Sequence, residues 1–586
     1  MHATSSSSVE HARARMADAA GQGQTEKTSW ADLALLAVGV LLIVGSGVGV
    51  RAPWPADEPR FALIAHDMVT SGNWLFPRVG GELYSDKPPL FLWLLSIGQI
   101  MTGSIRWSFL LPSFLASLGT VWLVYDLSRR LAGRQAALLA AGLLLCTVQF
   151  AVTGRSAQID ATLCLLTTLS LYALLRHLFW GPAWGWYFLS GLAAGLGVIT
   201  KGVGFLPLLA LLPYALLRRL DFEPLPRFSG GARWLLAGGG LLVGVGIWLV
   251  PMLLTVAGSH DPQLVAYRDG ILLHQTVGRY VSAWHHRQPW YYFILNVIPA
   301  LWLPFSCLLF WLVPRWRQAW RERDARVWLP LSWTVLVLVF FSLATGKRGI
   351  YILPALPAAV TASAPYLRDL FARTGVRRVG IALACIVLVA AAALALGEVL
   401  RVRAIVRLTT QSGLDSWLPF TALAIACAAA LAATWHSKLP LVWPAVLCAV
   451  ALIMSWMIEP RMDPERSGRA FMQKVQAHLA PDEELALVDY KEQFLLHLER
   501  PSVNFGHRLQ NPLEEQYDAA RWLNDGSRRV LLVSEPQLSP CFNLSPHEPL
   551  GQSASLSWFL VRSGGSLDCI QKGNVADAIR YIPRAP

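Results

Sequence analysis

Three kinds of residue in this chain have types and spacings suited to chemistry on a charged molecule. The first are carboxylates. Asp57 and Glu58 are adjacent and precede Pro59 and Arg60, while Asp160 follows Arg155 by five positions. The Asp57 pair reads in two ways. It is a solvated loop that caps the start of a helix, with proline in the first turn, or a functional pair of carboxylates. Asp160 opens an apolar stretch, where an ionisable group is a functional candidate unless Arg155 or a lysine neutralises it. The second kind is lysine. Only 8 of the 50 basic residues are lysines, so arginine is the default cation. Lys87, Lys201 and Lys347 all stand at ends of apolar stretches. A lysine ammonium is a compact point charge suited to a phosphate oxygen. Three such ends facing one cavity would bind a phosphate; three separate ion pairs or snorkelling side chains are the alternative. Gly346-Lys347 lacks the earlier glycine and the following Ser or Thr of a phosphate-binding loop, and no nucleotide motif occurs elsewhere. The third kind gathers in one polar stretch: His274, Arg279, His285 and His286, followed by Arg287. Arg279 is a candidate phosphate ligand. His286 with Asp86 or Glu82 would offer a pair for a divalent metal, Zn or Mg, although the spacing matches no standard zinc pattern.

These groups need a frame. The chain has 586 residues, 54% of them hydrophobic and only 15% charged. A soluble chain carries nearer about 25% charge. Apolar runs recur between residues 30 and 458, many of them near the length of about 18 residues that crosses a bilayer. The net charge of +13 sits largely in short clusters, at Arg129–Arg134, Arg218–Arg219, Arg315–Arg326, Arg368–Arg378 and His436–Lys438. Placing each of them in the cytoplasm gives about thirteen spans, with residues 1–29 inside and residues 459–586 outside. The run Leu33–Val44 then reads as an uncleaved signal anchor. Nucleic-acid binding has no supporting motif. Residues 88–102 break the alternation and are short, so they read as a helix lying on the outer surface, as does Glu58–Ser71. The outer stretches 51–105 and 257–289 thus carry most candidate groups. Gly191, Gly195, Gly197 and the glycines of 238–246 suit close helix packing. A transporter would show inverted repeats. No repeat is visible, and the ionisable groups gather at the outer surface, which favours an enzyme.

The fold class expected is an all-α polytopic membrane domain, 30–458, with outer juxtamembrane helices and a small α/β domain, 459–586. In that tail Pro464–Leu479 and Glu514–Leu523 read as helices. Glu484–Val488, Arg529–Val533 and Leu556–Arg562 read as strands of a mixed sheet. The tail shows no catalytic constellation, so stability or acceptor docking is expected of it. Six of the eight cysteines read as small apolar residues. Cys541 and Cys569 are free to pair if the tail lies outside the cytoplasm.

In order along the chain, these segments resemble the bacterial aminoarabinose transferases of lipid A. That family belongs to the polyprenyl-phosphate-dependent GT-C glycosyltransferases, with the protein O-mannosyltransferases. The resemblance rests on Ala56-Asp-Glu-Pro-Arg60, on residues 71–90 with Trp74, Pro77, Tyr84 and Asp86-Lys87-Pro88, on Asp160, and on Thr200-Lys201-Gly202. It continues through Arg279-Tyr280, His286-Arg287 and Pro289-Trp290-Tyr291-Tyr292 to Gly346-Lys347, Tyr351 and Leu353-Pro354. One departure is Gln275, where the family often has Glu. The resemblance implies transfer of 4-amino-4-deoxy-L-arabinose from undecaprenyl phosphate to a lipid A phosphate at the periplasmic face of the inner membrane, by a monomer among membrane lipids. Other lipid-linked sugars and hydroxyl acceptors are the alternative within the class. It makes Lys87, Lys201, Arg279 and Lys347 ligands of the donor phosphate, with Tyr84, Arg60 and Tyr351 beside them. Asp57, Asp160 and Glu58 are the catalytic candidates. No cofactor is required by this chemistry; a divalent metal on Asp86 and His286 is the one to test.

Overall fold

The computed structural model describes residues 29–272, 287–410, 413–414, 416–436, 441–506, 512–574 and 578–583. Among them, seven helices are long and apolar enough to cross a membrane, and nine if each of two bent pairs counts as one span. Three shorter apolar helices accompany them, Trp30–Ile43, Leu90–Thr102 and Leu418–Thr434. The chain is thus a multi-pass membrane protein, and length and composition support fewer full spans than the thirteen expected.

The two bent pairs explain part of the difference. Residues 133–153 and 290–314 each read as one apolar run. The first is broken between Arg134–Leu145 and Val148–Gly154, with a 65° bend, and the second between Phe293–Leu301 and Phe305–Arg321, with a 116° bend. A break frees backbone groups that hydrocarbon cannot satisfy. Here the breaks satisfy each other: the Val148 amide donates to the Leu303 carbonyl at 2.9 Å. Trp302 Nε1 donates to Gln149 Oε1 at 2.6 Å, and Gln149 Nε2 donates to the Gly349 carbonyl at 2.8 Å. Through the Gln149 side chain the paired kinks thus meet the backbone just beyond Lys347.

Close packing fixes the next pair of helices, Trp184–Val198 and Leu236–Ala257. A Cβ on Gly191 would lie 1.8 Å from the Ala237 carbonyl oxygen, and one on Gly195 would lie 2.4 Å from that of Leu241. Only glycine permits that approach, as the sequence suggested.

The helix Glu58–Ser71 forms over the residues expected and packs on Leu90–Thr102, with the Phe61 and Phe91 rings edge to face at 5.6 Å. Between them lies a two-stranded hairpin, β1 (Arg78–Val79) and β2 (Glu82–Leu83). The C-terminal domain holds a six-stranded mixed sheet. Its strands are β3 (Glu484–Leu487), β4 (Ser502–Asn504), β5 (Arg529–Ser534), β6 (His547–Ser553), β7 (Leu556–Val561) and β8 (Ile579–Tyr581), in the order β6-β7-β5-β3-β4-β8. β3 runs parallel to β4 and β5; the other pairings are antiparallel. Side chains alternate across it as strand geometry requires. Leu485, Leu487, Val530, Leu532 and Leu560 join a core with Phe61, Leu63, Phe91 and Leu92 of the helices Glu58–Ser71 and Leu90–Thr102. Ala486, Val488, Leu531 and Val533 face the second core, with helix Pro512–Asn524 and Cys541. Cys541 and Cys569 are disulfide-bonded. One hydrophobic core thus runs from residue 61 to residue 581, and the boundary expected at residue 459 is not a gap in packing.

Candidate functional site

Asp160 lies in the first turn of the span Ile159–Trp180, and Lys201 follows the helix Trp184–Val198. Lys201 Nζ donates to Asp160 Oδ1 at 2.6 Å and stands 4.6 Å from the centroid of the Tyr351 ring. Three sequence candidates therefore converge from three separate segments. Asp160 pairs with the lysine; Arg155 turns away to Glu459 at 2.8 Å.

The Lys87 turn is brought to the same place by backbone. The Leu90 amide, three residues beyond Lys87, donates to the Ile199 carbonyl at 3.1 Å, two residues before Lys201. Lys347 is buried. Its Nζ donates to the carbonyls of Gln288 (2.8 Å) and Ala344 (2.5 Å), which leaves one N–H of the three for a further acceptor among the described contacts. Arg287 and Gly346 form an isolated antiparallel bridge, so the end of the 257–289 stretch lies against the Lys347 segment.

Asp57 departs from the capping role its position suggested. It precedes the helix Glu58–Ser71, but its side chain makes no cap hydrogen bond. Its Oδ2 instead stands 3.7 Å from Arg348, and the side chain is 26% exposed. An open carboxylate beside a guanidinium is suited to a ligand. Glu58, grouped on sequence with the catalytic carboxylates, is the opposite case. It is buried, and its oxygens accept from Arg51 (2.5 and 2.9 Å), the Trp54 amide (2.9 Å) and the Ala157 amide (3.0 Å). Four hydrogen bonds occupy the group. Its role is to tie the Asp57 loop to the segment that leads into Asp160.

Arg60 also has a protein partner. Its Nε donates to Glu492 of the C-terminal domain at 2.6 Å. Burial alone would lower the guanidinium pKa, but Glu492, with smaller contributions from Tyr84 and Asp57, holds it above its ordinary value. Tyr84 is buried at the edge of the core around Phe61. The Arg60 guanidinium thus lies near both Tyr84 and Asp57. Arg279 and His286, with His274 and His285, lie outside the described residues. Among the described residues no three His, Cys, Asp or Glu side chains gather as a metal set, so Asp86 has no such set around it there.

Sequence reading missed several members. Arg348 was overlooked beside Lys347. Arg51, Arg155, Glu459 and Asp463 form a buried ionic cluster behind Asp57: Arg51 lies 3.9 Å from Glu459, and Asp463 accepts from the Ala52 amide and Trp54 Nε1. Carboxylates at the end of the last apolar run were the available signal.

Residues 86–225 match the family model described as dolichyl-phosphate-mannose-protein mannosyltransferase. Among curated proteins, the undecaprenyl phosphate-α-4-amino-4-deoxy-L-arabinose arabinosyl transferase of Pseudomonas aeruginosa is 33% identical over 346 residues, covering 57% of this chain and 58% of its own length. Its namesake in Yersinia enterocolitica is 30% identical over 352 residues, covering 57% and 59%. The alignments span under three fifths of those relatives. In structure, ArnT of Cupriavidus metallidurans bound to undecaprenyl phosphate superposes with a TM-score of 0.71 at 21% identity, over 91% of this chain and 98% of that one. Its apo form gives 0.70 at 20% identity. The chain has the fold of that ArnT over 91% of its length. Its sequence is similar to the aminoarabinose transferases.

Proposed function

We propose that this chain transfers 4-amino-4-deoxy-L-arabinose from undecaprenyl phosphate to a phosphate of lipid A at the outer face of the inner membrane. The observation that carries the reading is the convergence of Asp160, Lys201 and Tyr351 in a chain whose sequence and fold both match the aminoarabinose transferases. The lipid A phosphate oxygen attacks the anomeric carbon. The bond from that carbon to the donor phosphate oxygen breaks, and undecaprenyl phosphate leaves with the bonding pair. Charge grows on the leaving phosphate, so fixed cations there lower the barrier. Lys201 and Lys347 keep N–H donors for it, and Lys87 and Arg279 complete the proposed set. A phosphate monoester with a second pKa of about 6 is already an anionic nucleophile and needs no base. Asp57 and Asp160 are left to orient the acceptor, hold the sugar amine or stabilise positive charge on the anomeric carbon. Direct displacement inverts that centre.

The disulfide Cys541–Cys569 supports an outer location for the tail, because such bonds persist in oxidising compartments. The added amine would lower the negative charge that draws cationic antimicrobial peptides to the cell surface. A second reading, transfer to a hydroxyl as in a protein O-mannosyltransferase, is favoured by the family match over 86–225 and by the open Asp57 carboxylate. A hydroxyl would need that carboxylate as base. Mass spectrometry decides between the readings. A strain that makes the lipid-linked aminosugar but lacks its own transferase should gain an aminoarabinose adduct on lipid A when it expresses this chain. A well-expressed chain that yields no adduct rejects the lipid A assignment.

A further inference from the structure

The β1–β2 hairpin ends immediately before Tyr84 and four residues before Lys87, and it has only two paired positions, Arg78 with Leu83 and Val79 with Glu82. A ribbon that short does not hold its own shape in water. The C-terminal domain holds it. Asn504, fully buried on β4, donates from Nδ2 to the Gly80 carbonyl at 3.0 Å, while its Oδ1 accepts from the Gly506 amide at 3.1 Å. The joint is close on both sides. Gly80 and Gly81 have φ of +59° and +97°. A Cβ on Gly80 would lie 2.9 Å from the Tyr490 hydroxyl, and one on Gly81 would lie 2.5 Å from an Ile579 methyl. Across the joint, a Cβ on Gly506 would lie 2.4 Å from the Glu82 carboxylate. Glu492 adds the 2.6 Å pair with Arg60 from the neighbouring helix. Tyr490 sits between these contacts, its hydroxyl pKa raised by burial and by the Glu82 and Glu492 carboxylates.

We propose that the C-terminal domain is a positioning part of the transfer site: Asn504 and Glu492 hold the hairpin and Arg60, and thereby set the Tyr84–Lys87 turn against Lys201. This rests on the reading that those groups address the donor phosphate. It gives the domain a task on the donor side, where the sequence suggested only stability or acceptor docking. Asn504 and Glu492 touch no substrate; they act through the hairpin and Arg60.

The test uses the full chain in detergent with the Asn504→Asp variant. The new carboxylate still accepts from the Gly506 amide but has no N–H for the Gly80 carbonyl. Four quantities are read: melting temperature, hydrogen exchange of the peptide 78–87, affinity for undecaprenyl phosphate, and kcat/KM for the donor against KM for the acceptor. The buried carboxylate will lower the melting temperature; in the variant still folded at the assay temperature, the expected result is faster exchange in 78–87 and a loss of about tenfold or more in both undecaprenyl phosphate affinity and donor kcat/KM, with acceptor KM unchanged. Glu492→Gln should do the same to a smaller degree and serves if Asn504→Asp does not fold. Glu548→Gln, which breaks the pair with Arg562 at the far edge of the sheet, should change none of the four. The proposal is overturned if donor affinity and kcat/KM stay at parent level while the hairpin loosens, if only acceptor KM rises, or if activity falls only in step with melting temperature. A parent that binds undecaprenyl phosphate yet transfers no sugar rejects the function proposed above, while the affinity comparison still decides the role of the domain. A parent that binds none rejects both.

Discussion

Lys201 Nζ lies 2.6 Å from Asp160 Oδ1 and 4.6 Å from the centre of the Tyr351 ring. One ammonium is thus gripped by a carboxylate at the head of the span Ile159–Trp180 and by an aromatic face from the short turn Gly349–Ile352. The carboxylate uses one N–H and the ring face uses electrostatics alone, so donors remain for a phosphate. The lysine side chain is 21% exposed, which keeps it reachable by a ligand.

Lys201→Ala should therefore cost more in turnover than in stability. Removing one cation that meets charge only as it develops is expected to lower kcat about 10²–10³-fold. Lys201→Arg should recover only part, because a planar fork does not replace a point charge between a carboxylate and a ring. Transfer assays on detergent-purified protein at matched melting temperature check this. A kcat within threefold of the parent for Lys201→Ala would remove Lys201 from the site.

Asp57 tests the acceptor. With a phosphate acceptor, Asp57→Asn should leave transfer within about tenfold of the parent, since the nucleophile is already ionised. With a hydroxyl acceptor the same change removes the base and should cost about 10²–10⁴-fold. The Arg348 contact at 3.7 Å is solvent-exposed on the arginine side, so the variant should keep its fold.

Glu58 should behave in the opposite way. Its bidentate pair with Arg51 is buried on both sides. Glu58→Ala leaves a buried guanidinium whose nearest other carboxylate, Glu459, is 3.9 Å away, a class of change that costs about 3–5 kcal/mol. Loss of expression and a lowered melting temperature are expected, with activity falling in proportion to folded protein. A fully folded, inactive Glu58→Ala would restore it to the catalytic group.

These contrasts mark what the sequence could and could not show. Asp160 and Lys201 stood out because an ionisable group at the end of an apolar run has few reasons to be there, whereas Tyr351 entered only through the family resemblance. The helix Glu58–Ser71 and the strands β3, β5 and β7 were legible from period and composition. Asp57 and Glu58 are adjacent, of the same charge class, and face different surroundings; only tertiary structure says which is consumed. β4, β6 and β8 were missed. β4 and β8 are three residues long, and β6 contains Pro549 and Gly551 at an irregularity of the ladder. The two kinked spans look continuous in hydropathy because the kink is made by backbone pairing between distant segments, Val148 with Leu303.

The C-terminal domain carries a pH dependence of its own. Burial, and then the charge of Arg469, hold His497 neutral with its pKa lowered to about 4, against the smaller opposing effect of Asp463. An unfolded histidine titrates near about 6.5. The folded value lies below the unfolded one, so the unfolded chain takes up the proton first as pH falls. Stability from this group is complete above about pH 6.5 and is lost progressively toward pH 4, by at most about 3 kcal/mol. Gln476 Nε2 donates to the His497 carbonyl at 3.2 Å, which ties this residue to the helix Arg469–Ala477 that continues the last span. The melting temperature of the parent should therefore fall between pH 7 and pH 4.5, and His497→Gln should flatten that part of the profile while leaving donor affinity at pH 7 unchanged. An equally steep fall in the variant would assign the acid sensitivity to other groups.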